Sequence, residues 1–289
     1  MNNFIAERPE VSLENFEAVY DYYERDPSRV IATLGHLAVS TKYKPDVIFD
    51  SEAEEQIGEV FDGGGQAFLL ANHVYGEDVR HLPSLLWRER VFKPMITRTN
   101  IYGKSELVSG RSQGAKVQRI LYDELGMVPV FRRKDLAEDE WSEDNQILFP
   151  RAKERLLDLG ASKLNRGFHA AIFPEGERDE VLAQEERDPS KVRRLMGGFA
   201  EMIGRSERLG NIFIVIAGLS YPDLPFKNPT SKQEKSTNKE VKLRPTLFIP
   251  RPVEVTRENI DNLVSIAQDS LQSAVTEASQ RRSLSGRNH

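Results

Sequence analysis

Short apolar runs alternate with longer polar stretches along most of the chain after Lys44-Pro45. The apolar runs have the length of buried strands and lie at residues 46–49, 67–71, 94–97, 127–131, 169–173, 212–219 and 246–249. The stretches between them show helical spacing, at residues 52–61, 78–90, 115–125, 146–159, 191–208 and 258–279. Strands that alternate with helices predict an α/β fold, in which helices cover the faces of a central sheet.

The amino end follows a helical pattern without strands. Residues 12–25 carry apolar side chains at helical spacing: Leu13, Phe16, Val19, Tyr20 and Tyr23. Asp26-Pro27 interrupts this pattern and predicts a second helix, whose apolar face would consist of Val30, Leu34 and Leu37. We therefore expect a helical extension over residues 1–45, followed by one domain over residues 46–280.

Two segments differ in composition from the rest of the chain. Residues 222–242 are rich in Pro, Ser, Thr, Asn and Lys, which predicts a mobile loop. Residues 281–289 contain three arginines and no acid, which predicts a disordered basic tail. Neither segment divides the main domain, so the expected fold is a single α/β domain with a mixed central sheet of about seven strands flanked by helices.

The composition excludes several classes of protein. The chain has 289 residues, a net charge of −5 and no cysteine. The acidic balance argues against a nucleic-acid partner, and the absence of cysteine excludes disulfides, thiolate metal sites and a cysteine nucleophile. No run approaches the roughly 18 apolar residues that span a bilayer, and the amino end lacks the basic-then-apolar order of a signal peptide. These features favour a cytoplasmic protein.

The first candidate site follows the apolar run 67–71. His73 stands at the carboxyl end of this predicted strand, where α/β proteins place catalytic groups. Asp78 comes five residues later, so the two side chains meet only if the intervening residues turn, which Gly76 favours. A histidine held by a carboxylate is a positioned general base. The alternative is a strand-end histidine followed by an aspartate that caps the next helix.

A second predicted strand, 169–173, ends in Pro174-Glu175-Gly176-Glu177-Arg178. Proline and glycine shape a turn there, and Glu175 and Arg178 could point into one crevice. The alternative is an ordinary turn whose Glu and Arg form a weak surface pair.

A third predicted strand, 127–131, delivers Arg132 and Arg133 at its carboxyl end. The planar guanidinium fork suits phosphate, because it donates two hydrogen bonds at once. The alternative is a pair of surface arginines that face the acidic stretch 135–144.

Taken together, the three clusters resemble the signature motifs of the glycerol-phosphate and lysophosphatidic-acid acyltransferase family. The family motifs appear here in the family's order, as Asn72-His73…Asp78, then Gly126…Val130-Phe131-Arg132, then Phe173-Pro174-Glu175-Gly176-Glu177-Arg178. The resemblance covers roughly residues 46–279. Glu177 departs from the pattern, since the family usually has Thr or Ser there, and this leaves the identity of the acceptor open.

The resemblance implies an O-acyltransferase of phospholipid biosynthesis. Such an enzyme moves a fatty acyl group from acyl-coenzyme A or acyl-acyl carrier protein to the hydroxyl of a glycerol-phosphate-type acceptor, with lysophosphatidic acid favoured. A thioester is already activated, so the reaction needs a base and no covalent nucleophile. No bound cofactor or metal is expected.

The same resemblance implies roles for individual residues. His73 would deprotonate the acceptor hydroxyl, and Asp78 would orient the imidazole. Arg132 and Arg178 would hold the acceptor phosphate. The remaining residues expected to contact or shape the acceptor site are Asn72, Arg133, Glu175 and Gly176.

Other functions remain open from the sequence. Gly110-Arg111-Ser112-Gln113-Gly114 matches the nucleophile elbow of serine hydrolases, although residues 104–109 are too polar for the strand that this motif needs. The protein could also be a lipid-binding module without turnover, or an acyltransferase with a non-glycerolipid acceptor.

A peripheral membrane contact on the inner face of the membrane is a further hypothesis. Residues 98–119 contain five basic residues and one acid, and the aromatic side chains of Phe16, Tyr20 and Tyr23 could assist. The alternative is that the aromatic helix packs on the sheet.

Overall fold

The computed structural model describes residues 8–74, 78–105, 113–132, 142–176, 191–221 and 244–285. Eight strands within these ranges form one sheet. In chain order they are β1 (Asp46–Phe49), β2 (Gln66–Ala71), β3 (Thr99–Lys104), β4 (Met127–Val130), β5 (His169–Ile172), β6 (Ile212–Ser220), β7 (Thr246–Ile249) and β8 (Val253–Glu254).

Helices connect most of these strands. The α-helices are α1 (Phe16–Tyr23), α2 (Arg29–Lys42), α3 (Ala53–Asp62), α4 (Asp78–Arg88), α5 (Gln113–Glu124), α6 (Glu143–Asn165), α7 (Gly198–Gly204) and α8 (Leu263–Ser285). Short 3₁₀ turns lie at Arg90–Met95, Leu209–Asn211 and Ile260–Asn262. In the described part of the chain, no helix is long and apolar enough to cross a membrane.

The strand order β1-β7-β6-β2-β5-β3-β4 makes β2 a central strand. Most neighbours run parallel, whereas β7 and β8 each pair with β6 in the antiparallel direction. The predicted fold, a mixed sheet flanked by helices with a helical amino end, is confirmed.

Both faces of the sheet are covered by apolar side chains. On one face, Phe68 and Leu70 of β2 belong to a core that includes residues of α1, α6, α7 and α8. On the other face, Leu69 belongs to a core that includes residues of α3 and α4. Because β2 is covered on both faces, its near-continuous apolar sequence is that of a buried parallel strand.

One predicted strand is wrong. Residues 94–97 do not pair with the sheet, and the chain forms the 3₁₀ turn Arg90–Met95 at this point. Pro94 has no N–H to give to a ladder, and the turn buries Phe92 and Met95, which are three residues apart. The strand follows at Thr99–Lys104, where its pattern is too polar to stand out in the sequence.

The first amino-terminal helix packs as expected. Leu13, Phe16, Val19, Tyr20 and Tyr23 are all buried, so the aromatic side chains belong to the core. The hypothesis that these aromatic residues contact a membrane is therefore wrong.

The second helix packs with the opposite face to the one predicted. Val30, Leu34 and Leu37 are 69%, 59% and 42% exposed, whereas Gly35 and His36 are buried. A Cβ on Gly35 would lie 2.8 Å from Leu121 of α5, so glycine allows these helices to approach closely. His36 Nδ1 lies 3.0 Å from the carbonyl oxygen of Pro83 in α4. A small and a polar residue thus provide the contact, which apolar spacing does not reveal.

Two further boundaries differ from the predictions. The helix expected over 191–208 is limited to α7, and residues 191–197 form neither helix nor strand and are hydrogen-bonded to α8. The backbone N–H groups of Val192 and Leu195 donate to Gln272 and Gln268 of α8, each at 2.9 Å. Helix α8 continues to Ser285, so residues 281–285 are helical instead of part of a disordered tail. Residues 222–242 lie outside the described residues.

Candidate active site

The candidate site lies at the edge of the sheet where parallel strands end together. Leu70 of β2 pairs with Ile172 of β5, and Ala71 pairs with Ala217 of β6. Residues that follow β2, β5 and β6 are therefore brought to the same edge, where α/β proteins place their ligands. His169 stands at the amino end of β5 and so belongs to the opposite edge.

His73 and Asp78 meet at this edge. The distance between His73 Nδ1 and Asp78 Oδ2 is 3.1 Å, within hydrogen-bond range. Asp78 is the first residue of α4 and its side chain is 0% exposed, whereas the His73 side chain is 14% exposed. The carboxylate therefore orients the ring from the protein side. Gly76, which favours the turn in the sequence, lies outside the described residues.

The Asp78 carboxylate accepts further hydrogen bonds. The backbone N–H of Val74 donates to Oδ2 at 2.7 Å. The hydroxyl of Tyr221 donates to Oδ1. Both oxygens of this buried carboxylate are thus hydrogen-bonded, as a buried charge requires.

The His73 ring is also held on one face. It stacks on the ring of Phe173 with a centroid distance of 4.2 Å and an interplanar angle of 20°. If Nδ1–H donates to Asp78, Nε2 carries the free lone pair and can accept a proton from a hydroxyl. A neutral ring held in this way can act as a general base.

Glu175 connects the second motif to the first. Its Oε2 accepts the backbone N–H of His73 at 2.7 Å, and its Oε1 accepts the backbone N–H of Arg193 at 2.8 Å. The residue is buried. These bonds position the backbone of His73 and Arg193, and the expected contact of Glu175 with the acceptor stays a prediction.

The side chain of Asn72 also binds backbone groups of a distant segment. Its side-chain N–H donates to the carbonyl oxygen of Leu219 at 3.0 Å, and its side-chain oxygen accepts the N–H of Leu219 at 2.6 Å. This buried pair of bonds extends the β2–β6 pairing beyond the end of β2. The geometry favours a positioning role, here for the end of β6, over the predicted substrate contact.

Arg132 follows β4 and Gly176 follows β5, and the two residues meet across the intervening strand β3. The Arg132 guanidinium donates to the carbonyl oxygen of Gly176. Gly176 has φ of +74°, a conformation that suits glycine, and its N–H closes the turn onto Phe173 at 3.2 Å. The turn is thus hydrogen-bonded to both neighbours, through Glu175 to the backbone of His73 and through Gly176 to Arg132.

Glycine is also required at the start of the second motif. Gly126 has φ of +80°, and a Cβ there would clash with the carbonyl oxygen of Thr99. The chain can enter β4 beside β3 only without a side chain at this position. The glycine of that motif therefore places the strand that carries Arg132.

Several predicted site residues lie outside the described residues. These are Arg133, Glu177, Arg178 and the serine of the hydrolase-like motif, Ser112. Their roles remain predictions from the sequence.

Two site residues were missed by the sequence reasoning. Tyr221 follows the long apolar run of β6, and a hydroxyl placed directly after a central strand was the available signal. Arg193 lies in a segment that was interpreted as helix, and nothing in its local pattern distinguishes it from a surface arginine.

Comparison with known proteins adds no further assignment. No protein-family model matches this chain, and no curated protein sequence matches it. Function is therefore inferred from the motif resemblance and from the geometry of the site.

Proposed function

We propose that this protein is an O-acyltransferase that moves a fatty acyl group from a thioester to the hydroxyl of a glycerol-phosphate-type acceptor, with lysophosphatidic acid favoured. The observation that carries the proposal is the His73–Asp78 hydrogen bond at 3.1 Å. It lies in the same cluster as the Glu175-Gly176 turn and Arg132, so all three motifs of the resemblance contribute to one site.

The reaction has two steps, the attack of the acceptor oxygen on the thioester carbonyl and the departure of the thiolate. His73 Nε2 takes the proton of the acceptor hydroxyl as its oxygen attacks the thioester carbonyl. The carbon–sulfur bond then breaks, the ester forms, and the imidazolium returns the proton to the departing thiolate. Asp78 stabilises the imidazolium between these steps, which is why a buried carboxylate at Nδ1 supports catalysis.

Arg132 provides positive charge for the acceptor phosphate in this proposal. Its bond to the Gly176 carbonyl fixes the guanidinium beside the turn that also positions His73. A preorganised cation that binds the phosphate would hold the acceptor hydroxyl near Nε2. Arg178 and Arg133 would complete the phosphate contacts according to the motif resemblance.

The direct test is acyl transfer from radiolabelled acyl-coenzyme A and acyl-acyl carrier protein. Three acceptors separate the possibilities: lysophosphatidic acid, glycerol 3-phosphate and a phosphate-free monoacylglycerol. We expect product with a phosphate-bearing acceptor and far less with monoacylglycerol. A preference for monoacylglycerol would contradict the phosphate role, and no product from folded protein would favour the lipid-binding module.

We also propose a peripheral contact with an anionic bilayer on the cytoplasmic face, through α2. The exposed apolar side chains Val30, Ile31, Leu34 and Leu37 form one side of this helix. Residues 27–45 contain Arg29, Lys42 and Lys44 and no acidic residue, although the whole chain is acidic. An apolar stripe flanked by cations complements an anionic lipid surface. Since α2 packs on α4, which begins at Asp78, the contact would bring lipid acceptors near the site.

A further inference from the structure

The hydrogen bond between Tyr221 and Asp78 has a consequence for the orientation of the histidine. A carboxylate has two equivalent oxygens, and only one of them can face His73 Nδ1. Oδ2 faces the ring and the Val74 N–H, while Oδ1 accepts the Tyr221 hydroxyl. A donor on Oδ1 therefore fixes which oxygen faces the ring, and with it the rotation of the carboxylate.

Tyr221 is itself held from two directions. Asn72 binds both backbone groups of Leu219, two residues before Tyr221, so the end of β6 is fixed to the strand that carries His73. The ring of Tyr221 lies 6.2 Å from that of His81 at 66°, and His81 packs edge-on against Tyr43 at 5.4 Å. Tyr221, His81 and Asp78 are all buried. The hydroxyl therefore has little freedom to leave the carboxylate.

The physical effect of losing this hydroxyl follows from burial. Asp78 is fully buried, so without Tyr221 the Oδ1 atom would be left without this donor in a region that water enters poorly. The carboxylate would then rotate toward other donors or admit a water molecule. Rotation takes Oδ2 away from Nδ1 and thereby weakens the preference for the tautomer with hydrogen on Nδ1, which is the tautomer that leaves Nε2 able to accept a proton.

We infer that Tyr221 is a positioning residue, which fixes the Asp78 carboxylate and thereby the Nδ1–H tautomer of His73. The effect on turnover rests on the proposed acyltransferase function, whereas the effect on the tautomer does not. Tyr221 acts through Asp78 and contacts no reacting atom in this account.

The test is ¹⁵N NMR of histidine-labelled protein above the pH at which the ring signals titrate. The chain has five histidines, and the signals of His73 are assigned by their loss in His73→Ala. The wild type should show one tautomer with hydrogen on Nδ1, and Tyr221→Phe should show a mixture. Tyr102→Phe is the matched control, since Tyr102 is also buried but belongs to β3, and it should leave the His73 signals unchanged.

Kinetics supply the second measurement. Tyr221→Phe should lower kcat about 10- to 100-fold with little change in the acceptor KM, while Tyr102→Phe retains the wild-type values. A wild-type His73 with hydrogen on Nε2, or a Tyr221→Phe protein with an unchanged tautomer, overturns the inference. A tautomer shift in a protein that transfers no acyl group would support the positioning role and contradict the proposed function.

Discussion

The Glu175 carboxylate accepts the backbone N–H of His73 at 2.7 Å. These two residues are 102 positions apart in the sequence, and their motifs are joined by this bond. The other oxygen of Glu175 fixes the backbone of Arg193, so one buried side chain ties three segments together. The turn thus serves the placement of His73, and under the proposed function residues around the turn are where substitutions should separate binding from catalysis.

Arg132→Ala tests the phosphate contact. The variant should raise the KM for a phosphate-bearing acceptor about 10-fold or more, because a charge-assisted hydrogen bond contributes roughly 1.5–3 kcal/mol. The KM for the acyl donor should change little. Steady-state kinetics with each substrate varied in turn measure both values.

The matched control for that variant is Arg205→Ala. Arg205 is exposed and pairs with Glu154 and Asp158 away from the strand ends, so its loss should leave both KM values unchanged. An acceptor KM that stays at the wild-type value in Arg132→Ala would contradict the phosphate role.

Gly176→Ala tests the turn. A left-handed backbone costs a residue with a Cβ about 1–2 kcal/mol, and here the Cβ would also lie 3.0 Å from Met196 Sδ. We expect a loss of stability of that size, measured by urea unfolding, together with reduced turnover. Gly210→Ala is the control, because a Cβ at Gly210 meets nothing within 4 Å. Equal stability of the two variants would show that the turn tolerates a side chain.

Val30→Glu combined with Leu34→Glu tests the membrane contact of α2. The double variant should lower binding to anionic vesicles at low salt at least 10-fold, because two exposed apolar side chains are replaced by acids. Co-sedimentation with vesicles measures the bound fraction. Ile147→Glu is the control. Ile147 lies on α6 and is about as exposed as Val30 and Leu34, so this variant should bind the vesicles as the wild type does. A wild type that does not co-sediment would remove the proposal.

From the lowered pKa of His169 we expect a specific pH dependence of the free energy of unfolding. Burial, and secondarily the charge of Arg98, lowers the pKa of His169 to about 4 from 6.5. Between pH 4 and 6.5 the unfolded chain binds a proton that the native state does not, so the free energy of unfolding rises with pH across this window. Acidification from pH 6.5 to 4 should therefore cost about 2–3 kcal/mol through this group.

His169→Gln provides the comparison for that window. The amide oxygen can still accept the N–H of Ala67, which binds His169 Nδ1 at 3.1 Å, but the side chain does not titrate. Urea unfolding at several pH values should show a flatter dependence below pH 6.5 in the variant and parallel curves above pH 7. Parallel curves throughout would contradict the assignment.

The sequence predicted the elements whose burial follows a simple apolar pattern. The strand β2 is a continuous apolar run, as in a strand covered on both faces, and the apolar residues of α1 recur at the spacing of an amphipathic helix. The prediction failed for α2, whose contact depends on the absence of a side chain at Gly35 and on a hydrogen bond of His36. A contact of that kind, between helices that are distant in the sequence, leaves no recognisable pattern in the local sequence.

The site was predictable in part for a similar reason. The meeting of His73 with Asp78 follows from a strand end and a short turn, both visible in the sequence. That Asn72 and Glu175 bind backbone groups of distant segments depends on the register between β2, β5 and β6. Tyr221 was missed because its partner lies 143 residues away and no motif includes it.

The proposed function depends above all on His73 acting as the general base for acyl transfer. The most direct measurement compares the wild type with His73→Ala for transfer of a radiolabelled acyl group from acyl-coenzyme A to lysophosphatidic acid, with circular dichroism to show that both are folded. We expect product from the wild type and a loss of at least 1,000-fold in the variant, the order expected when a triad-type histidine is removed. A folded His73→Ala protein with near-normal turnover would contradict it.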